Sequence, residues 1–151
     1  VKLARYMKEL VIDIVNDPAF KDRNIVFESN AQDIEICIDA DLFRRAMNNL
    51  IINALTHNPP ETKVAISIDT NSEKEACICI SDNGTGMSEA EQAELFNRYY
   101  RGTNTKERPE GSGLGLAIAK QIITLHNGNI TIKSKLDEGT QFTVVFPLGS
   151  K

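Results

Sequence analysis

The stretch A-C-I-C-I-S-D-N-G-T-G runs from Ala76 to Gly86. Ala76 to Ile80 is apolar at every position, the pattern of a central strand covered on both faces. Asp82 ends that strand, so its carboxylate is carried towards the interior, where an ionised group needs hydrogen-bond donors. Gly84 and Gly86 let the backbone approach a flat partner and adopt dihedrals closed to other residues. The exocyclic amine of adenine would suit the carboxylate, and guanine offers a different edge there. Taken alone, Asp-Asn-Gly after a strand also suits an ordinary turn.

Working outward, Val64, Ile66 and Ile68 alternate with polar residues as on a half-buried strand, and Asn71 to Lys74 can turn the chain into the next one. Upstream, Asp41 can cap a long helix carrying Leu42, Ala46, Met47, Leu50, Ile51, Ala54 and Leu55. Asn58-Pro59-Pro60 ends it. Near the start, Leu3, Met7, Leu10, Val11 and Ile14 form one helical stripe, stopped at Asn16-Asp17-Pro18. Ile25 to Ser29 and Ile34 to Ile38 read as short strands.

Downstream, Ser88 to Glu91 has the spacing of a capping box. Residues 97–112 hold few apolar anchors and read as a mobile surface loop. A helix is expected from Gly113 to His126, ended by Asn127-Gly128. Strands near Ile130 to Ser134 and Gln141 to Phe146 close the chain, joined by a turn at Asp137 to Thr140. The order predicts an α+β fold, a two-layer α/β sandwich. Its sheet would be mixed and mostly antiparallel, of about five strands, with three main helices on one face.

Three groups of residues could carry chemistry. Asn49 and Asn53 are four apart on the long helix and share a face with His57 one turn on. An amide oxygen is a hard ligand suited to magnesium, although two asparagines also suit a solvated face. Gly111, Gly113 and Gly115 lie where a loop enters a helix, and amides at a helix start favour phosphate. Neither a dinucleotide fingerprint nor a Walker loop is present, because the spacing is G-x-G-x-G and no Gly-Lys-Ser/Thr follows. Phe96, Tyr99 and Tyr100 interleave with Arg98 and Arg101. Either arginine could meet phosphate or be a solvated charge. Gly139-Thr140 is expected to form a hairpin turn, with the hydroxyl near any nucleotide.

Composition sets the limits. The 151 residues suit one domain, and a net charge of −4 leaves no basic footprint for nucleic acid. No apolar run approaches a membrane span, so direct membrane insertion is not expected. The chain begins at Val1, which suggests a piece of a longer protein. Cys37, Cys77 and Cys79 fit neither a disulfide framework nor a zinc site. They are expected to be buried, reduced core residues, and hence to indicate a cytoplasmic compartment.

Read together, the motifs resemble the catalytic and ATP-binding domain of bacterial two-component sensor histidine kinases, in the wider superfamily of gyrase B, HSP90 and MutL. N-L-I-I-N-A-L at Asn49 to Leu55 looks like the N box and D-N-G-T-G-M at Asp82 to Met87 like the G1 box. L-F-N-R-Y-Y-R-G at Leu95 to Gly102 looks like the F box, and E-G-S-G-L-G-L-A-I at Glu110 to Ile118 like the G2 box. The resemblance covers essentially the whole chain and implies the Bergerat ATP-binding fold.

It also implies roles. Asp82 would bind the adenine amine, Asn53 would coordinate magnesium and Asn49 would sit near the phosphates. Residues 97–112 would be the ATP lid, with Arg98 or Arg101 reaching phosphate. His57, Gly84, Gly86, Met87, Tyr100, Gly111, Gly113, Leu114, Gly115, Leu116 and Thr140 would line the nucleotide. The γ-phosphate would pass to a histidine on a separate dimerising helical hairpin, then to a response regulator.

The chain departs from that pattern at Thr56, where relatives often carry a basic residue, and at Asn127, where the usual motif is H-G-G. His57 and His126 both lack the context of a phosphoacceptor. His126 reads as a structural helix-end residue. An ATP-hydrolysing machine of the gyrase or HSP90 kind is an alternative, but those relatives carry Glu where Asn49 stands. A non-catalytic nucleotide-binding module is a third reading.

Overall fold

Leu3, Met7, Leu10, Val11 and Ile14 recur at helical spacing, and all five are buried along one side of helix α1, Leu3–Val15. The computed structural model describes residues 2–20, 23–29, 34–56, 58–59, 61–70, 75–94 and 114–147. Pro18 cannot continue α1, and the chain leaves through a single 3-10 turn, Pro18–Phe20, into strand β1, Asn24–Ser29.

The second strand expected before the long helix does not form. Residue 35 makes only an isolated bridge with Lys2, and Leu3 N–H donates to the Ile34 carbonyl at 2.9 Å. Ile34 and Ile36 are nevertheless buried. The alternation reported which side chains enter the core, and packing beside the start of α1 meets that need without a neighbouring strand.

Helix α2, Ala40–Thr56, buries Phe43, Ala46, Met47, Leu50, Ile51, Ala54 and Leu55. Its cap is Asp39 rather than Asp41. Leu42 N–H donates to Asp39 Oδ1 at 3.0 Å, and Phe43 N–H to the Asp39 carbonyl at 2.9 Å. A capping residue must lie outside the helix, and Asp41 is already in the first turn, where its charge suits the positive helix end.

Strands β2, Lys63–Thr70, and β3, Glu75–Asp82, form the middle of the sheet. The short helix α3, Glu89–Glu94, comes next and starts just after Ser88, as expected. After it come α4, Leu114–Leu125, and strands β4, Asn129–Lys135, and β5, Gly139–Pro147. The spatial order is β1-β2-β3-β5-β4, with β1 parallel to β2 and the other neighbours antiparallel.

Register puts Ile66, Ile80 and Phe142 side by side. They share the buried face with Val64, Ile68, Ala76, Ile78, Val144 and Phe146, and the buried sides of α1, α2 and α4 complete the core. This is the two-layer α+β sandwich with three main helices on one face. Phe43 is a keystone, its ring centroid 5.6 Å from that of Tyr6 and 5.9 Å from that of Phe146. No helix of the described residues is long and apolar enough to cross a membrane.

Strand β3 is central but is not covered on both faces. Ala76, Ile78 and Ile80 are buried, whereas Cys77 and Cys79 are half-buried on the face opposite the helices. Cys37 is exposed, so the three cysteines are not core residues. Cysteine is small and tolerates a polar neighbourhood, and Cys79 lies against Ser67, Thr143 and Gln141. Burial pushes both strand thiols up from their ordinary range.

Helix α4 ends in a Schellman motif, with Asn127 at φ 66°, Gly128 N–H on the Ile123 carbonyl at 2.9 Å and Asn127 N–H on Thr124 at 3.0 Å. His126 then ties α4 to α2. Asp39 N–H donates to its Nε2 at 3.1 Å, so Nδ1 carries the proton given to the Ile122 carbonyl at 2.8 Å. The β4–β5 turn lies at 136–138, one step earlier than expected, because Gly139 and Thr140 already pair with Lys135 and Ser134. Asp137 in that turn has φ 66°.

Replacing Phe43 with alanine is expected to cost about 3–5 kcal/mol in urea unfolding, the range for deleting a buried aromatic. Gly86 has φ 72°, and a Cβ there would collide with the Lys135 carbonyl oxygen. Gly86→Ala should therefore cost at least about 1–3 kcal/mol by the same measurement, the backbone strain, with the collision adding to it.

Candidate functional site

Asp82 closes β3 between its two neighbours, opposite Val64 of β2 and Thr140 of β5. Its Oδ1 accepts Gly84 N–H at 2.9 Å and Thr140 N–H at 3.3 Å. Oδ2 takes part in neither bond. Burial pushes the carboxyl above its ordinary range, and the amides of Gly84, Thr140 and Asn58 work against that rise. Asn83 extends the sheet by one rung. Its N–H donates to the Lys63 carbonyl at 3.3 Å, and its Oδ1 accepts Lys63 N–H at 2.8 Å.

The loop from Gly84 to Ser88 is pinned from the β4–β5 side. Asp137 N–H donates to the Thr85 carbonyl at 2.7 Å. Met87 N–H donates to Ser134 Oγ at 2.8 Å, and Gln92 Nε2 reaches the carbonyls of Met87 and Ser134 at 3.1 and 3.0 Å. Ser134 Oγ lies 2.9 Å from the Gly139 carbonyl, to which it donates, and 2.8 Å from Thr140 Oγ1. Its single proton is thereby used, so Thr140 is the donor in the second contact. Gly139, at φ 112°, has no room for a Cβ, which would strike the Asp82 carbonyl oxygen.

The other wall is the C-terminal part of α2. Asn49 and Asn53 lie one turn apart on the helix, and both are half-buried. The last carbonyls of a helix have no partner within it. Here each of three receives one from a side chain. Thr56 Oγ1 lies 3.5 Å from the Asn53 carbonyl, Asn58 Nδ2 donates to Ala54 at 2.7 Å, and the Arg23 guanidinium donates to Leu55. No basic residue lies in the last turn of α2, so Arg23, just before β1, brings the cation that a helix C-terminus favours.

The structure thus brings Asp82, Gly84, Gly86, Met87 and Thr140 together at one end of the sheet. Asn58 ties this group to the end of α2, the helix that carries Asn49 and Asn53. Leu114 and Gly115 begin α4, which packs against α2. Leu116 is buried in the core, which leaves only its backbone for a ligand. His57, Arg98, Tyr100, Arg101, Gly111 and Gly113 lie outside the described residues, as do the Asn71–Lys74 turn and the expected lid.

Sequence reasoning missed Ser134, Gln92, Arg23 and Asn58, all of which hold the site in place. Asn58 alone gave a signal. An asparagine four residues after Ala54, just past the helix end, can return its amide to an orphan carbonyl.

Comparison with known proteins agrees with this geometry. Residues 38–150 match the family of histidine kinase-, DNA gyrase B- and HSP90-like ATPases. The sensor histidine kinase YvrG of Bacillus subtilis is 40% identical over 144 residues, covering 95% of this chain and 25% of that protein. WalK, a sensor histidine kinase of the same organism, is 34% identical over 151 residues, covering 97% of this chain and 24% of its own length. The chain therefore spans about a quarter of these curated relatives.

Among solved structures, the catalytic domain of histidine kinase ThkA superposes with a TM-score of 0.82 at 20% identity, over 97% of this chain and 93% of that one. The mycobacterial sensor histidine kinase MprB gives 0.81 at 25% identity, over 100% and 99%. With the family match spanning most of its length and the fold shared throughout, the chain belongs to the histidine kinase-, DNA gyrase B- and HSP90-like ATPases.

Proposed function

We propose that residues 1–151 form a single catalytic domain that binds ATP with magnesium and serves a sensor histidine kinase. The observation that carries this reading is the Asp82 carboxylate. One oxygen is held by two backbone amides and the other takes part in neither bond, at the end of the sheet beside the glycine loop. Oδ2 accepts the adenine amine, and the backbone from Gly84 to Met87 flanks the ring.

Asn53 supplies an amide oxygen to magnesium, and Asn49 stands beside the phosphates. When bound there, the ion would supply positive charge against the phosphates. The donor set fits that ion, which takes few protein ligands and keeps water and phosphate oxygens. Amides at the start of α4, with Gly111, Gly113 and Gly115, face the phosphates. Residues 97–112 close as a lid, bringing Arg98, Tyr100 and Arg101, while His57, Leu114, Leu116 and Thr140 complete the lining.

In the transfer step the bond between the γ-phosphorus and the β,γ-bridging oxygen breaks. A bond forms to an imidazole nitrogen of a histidine on a separate dimerising hairpin, and ADP leaves. Positioning and charge neutralisation supply most of the catalysis in such a step. The phosphoryl group then moves to a response regulator in the cytoplasm. Hydrolysis is disfavoured because the Asn49 amide cannot act as a base towards water. Incubating this chain with ATP and a separately made phosphoacceptor hairpin of its parent kinase should yield phosphohistidine. Tight ATP binding without that product would support a nucleotide-binding module instead.

Two substitutions test the division of roles. Asn53→Ala should weaken magnesium-ATP about tenfold or more, roughly 1.4 kcal/mol, while adenosine changes less than about twofold. Equal losses for both ligands would remove the metal role. Asp82→Asn should weaken every adenine ligand. In the parent chain adenine affinity should fall as pH drops through the raised Asp82 value, and the variant should show no such step. A raised folded-state value means that this group favours the fold at low pH, and that the contribution is withdrawn as pH rises through it. Asp82→Asn without ligand should therefore be at least as heat-stable as the parent at neutral pH.

A further inference from the structure

Asn58 lies two residues past the end of α2, and the amide of its side chain is engaged on every side. Nδ2 donates to the Ala54 carbonyl at 2.7 Å. Oδ1 accepts Thr85 N–H at 3.1 Å and the Thr85 hydroxyl at 3.4 Å. The same amide lies close enough to the Asp82 carboxylate to favour its ionised form. Only a primary amide of this length does all of this. A carboxylate has no proton to give, an ammonium has no lone pair, and a hydroxyl is shorter and has one proton.

The surroundings are cut to fit it. A Cβ on Gly84 would fall on Asn58 Oδ1, so Asn58 held in this position needs a glycine at the start of the loop. Pro59 follows directly and restricts the Asn58 backbone to extended conformations. One side chain thus joins the end of α2, the Asp82 carboxylate and the glycine loop.

We propose that Asn58 is a positioning residue of the nucleotide site. It fixes the separation between the Asn49–Asn53 face of α2 and the Asp82 carboxylate, and so decides whether one ligand can engage both. The inference rests on the proposed nucleotide function. Magnesium-ATP must reach both elements at once, whereas adenosine needs only the Asp82 end. A misplacement of about 1 Å between them is of the size that costs two orders of magnitude in aligned systems.

The test is calorimetric titration of the 151-residue chain and its Asn58→Ala variant with magnesium-ATP and with adenosine, well below the melting temperature of each. Asn58→Ala should lose about tenfold or more for magnesium-ATP and less than about threefold for adenosine. Loss of both by one common factor, or a lower melting temperature with both affinities kept, overturns the proposal. If Asn58→Ala shows no cooperative unfolding, Asn58→Ser, which keeps a hydroxyl, is judged by the same ratio. A parent chain that binds magnesium-ATP no better than adenosine defeats the nucleotide reading itself and this proposal with it. A parent that does, beside a variant with an unchanged ratio, defeats only the role of Asn58.

Discussion

A carboxylate at the end of a central strand must be stabilised where water is scarce, and the arrangement around Asp82 follows from that need. Burial raises its pKa, while amides from Gly84, Thr140 and Asn58 favour the ionised form. Those three donors come from the glycine loop, from β5 and from the residues after α2. Satisfying one charge therefore brings three separate parts of the chain to one place. The close approach also explains Gly139, whose missing Cβ leaves space for the Asp82 carbonyl.

The helices meet a second constraint from their own ends. Helix α2 leaves carbonyls unpaired beside the site, and Thr56, Asn58 and Arg23 serve them. At the other end, Asp39 caps the first turn with its side chain and gives its N–H to His126 at the end of α4. Both ends of the asparagine-bearing helix are thus held by side chains from elsewhere in the chain. Thr56 also takes on another meaning. It carries no charge, and the cation at that helix end is Arg23, the residue just before β1.

Much of this was legible because side-chain period reports burial directly. The five apolar positions of α1 and the alternation of β2 passed unchanged into the core. Errors arose where one signal had two physical sources. Cysteine counts as apolar in a pattern, yet Cys77 and Cys79 sit on the open face of β3, so a run of apolar letters overstated its coverage. Ile34 and Ile36 alternate because both are buried, not because a strand pairs there. Asp39 and Asp41 are both plausible caps, and only the backbone geometry separates them. Asp82 and the two glycines stood out in the sequence, whereas Ser134, Gln92 and Arg23 did not. Their work is done by single hydrogen bonds across long sequence separations, and no local pattern encodes such bonds.

The glycine loop is tied down by the chain's own groups, on Ser134, Gln92, Asp137 and Asn58. Its conformational entropy has already been lost in folding, so on the proposed reading a base entering beside Asp82 would have little left to order there. A ligand consisting of the base alone gains from a rigid receptor, and each further phosphate must itself supply the free energy for whatever ordering it requires.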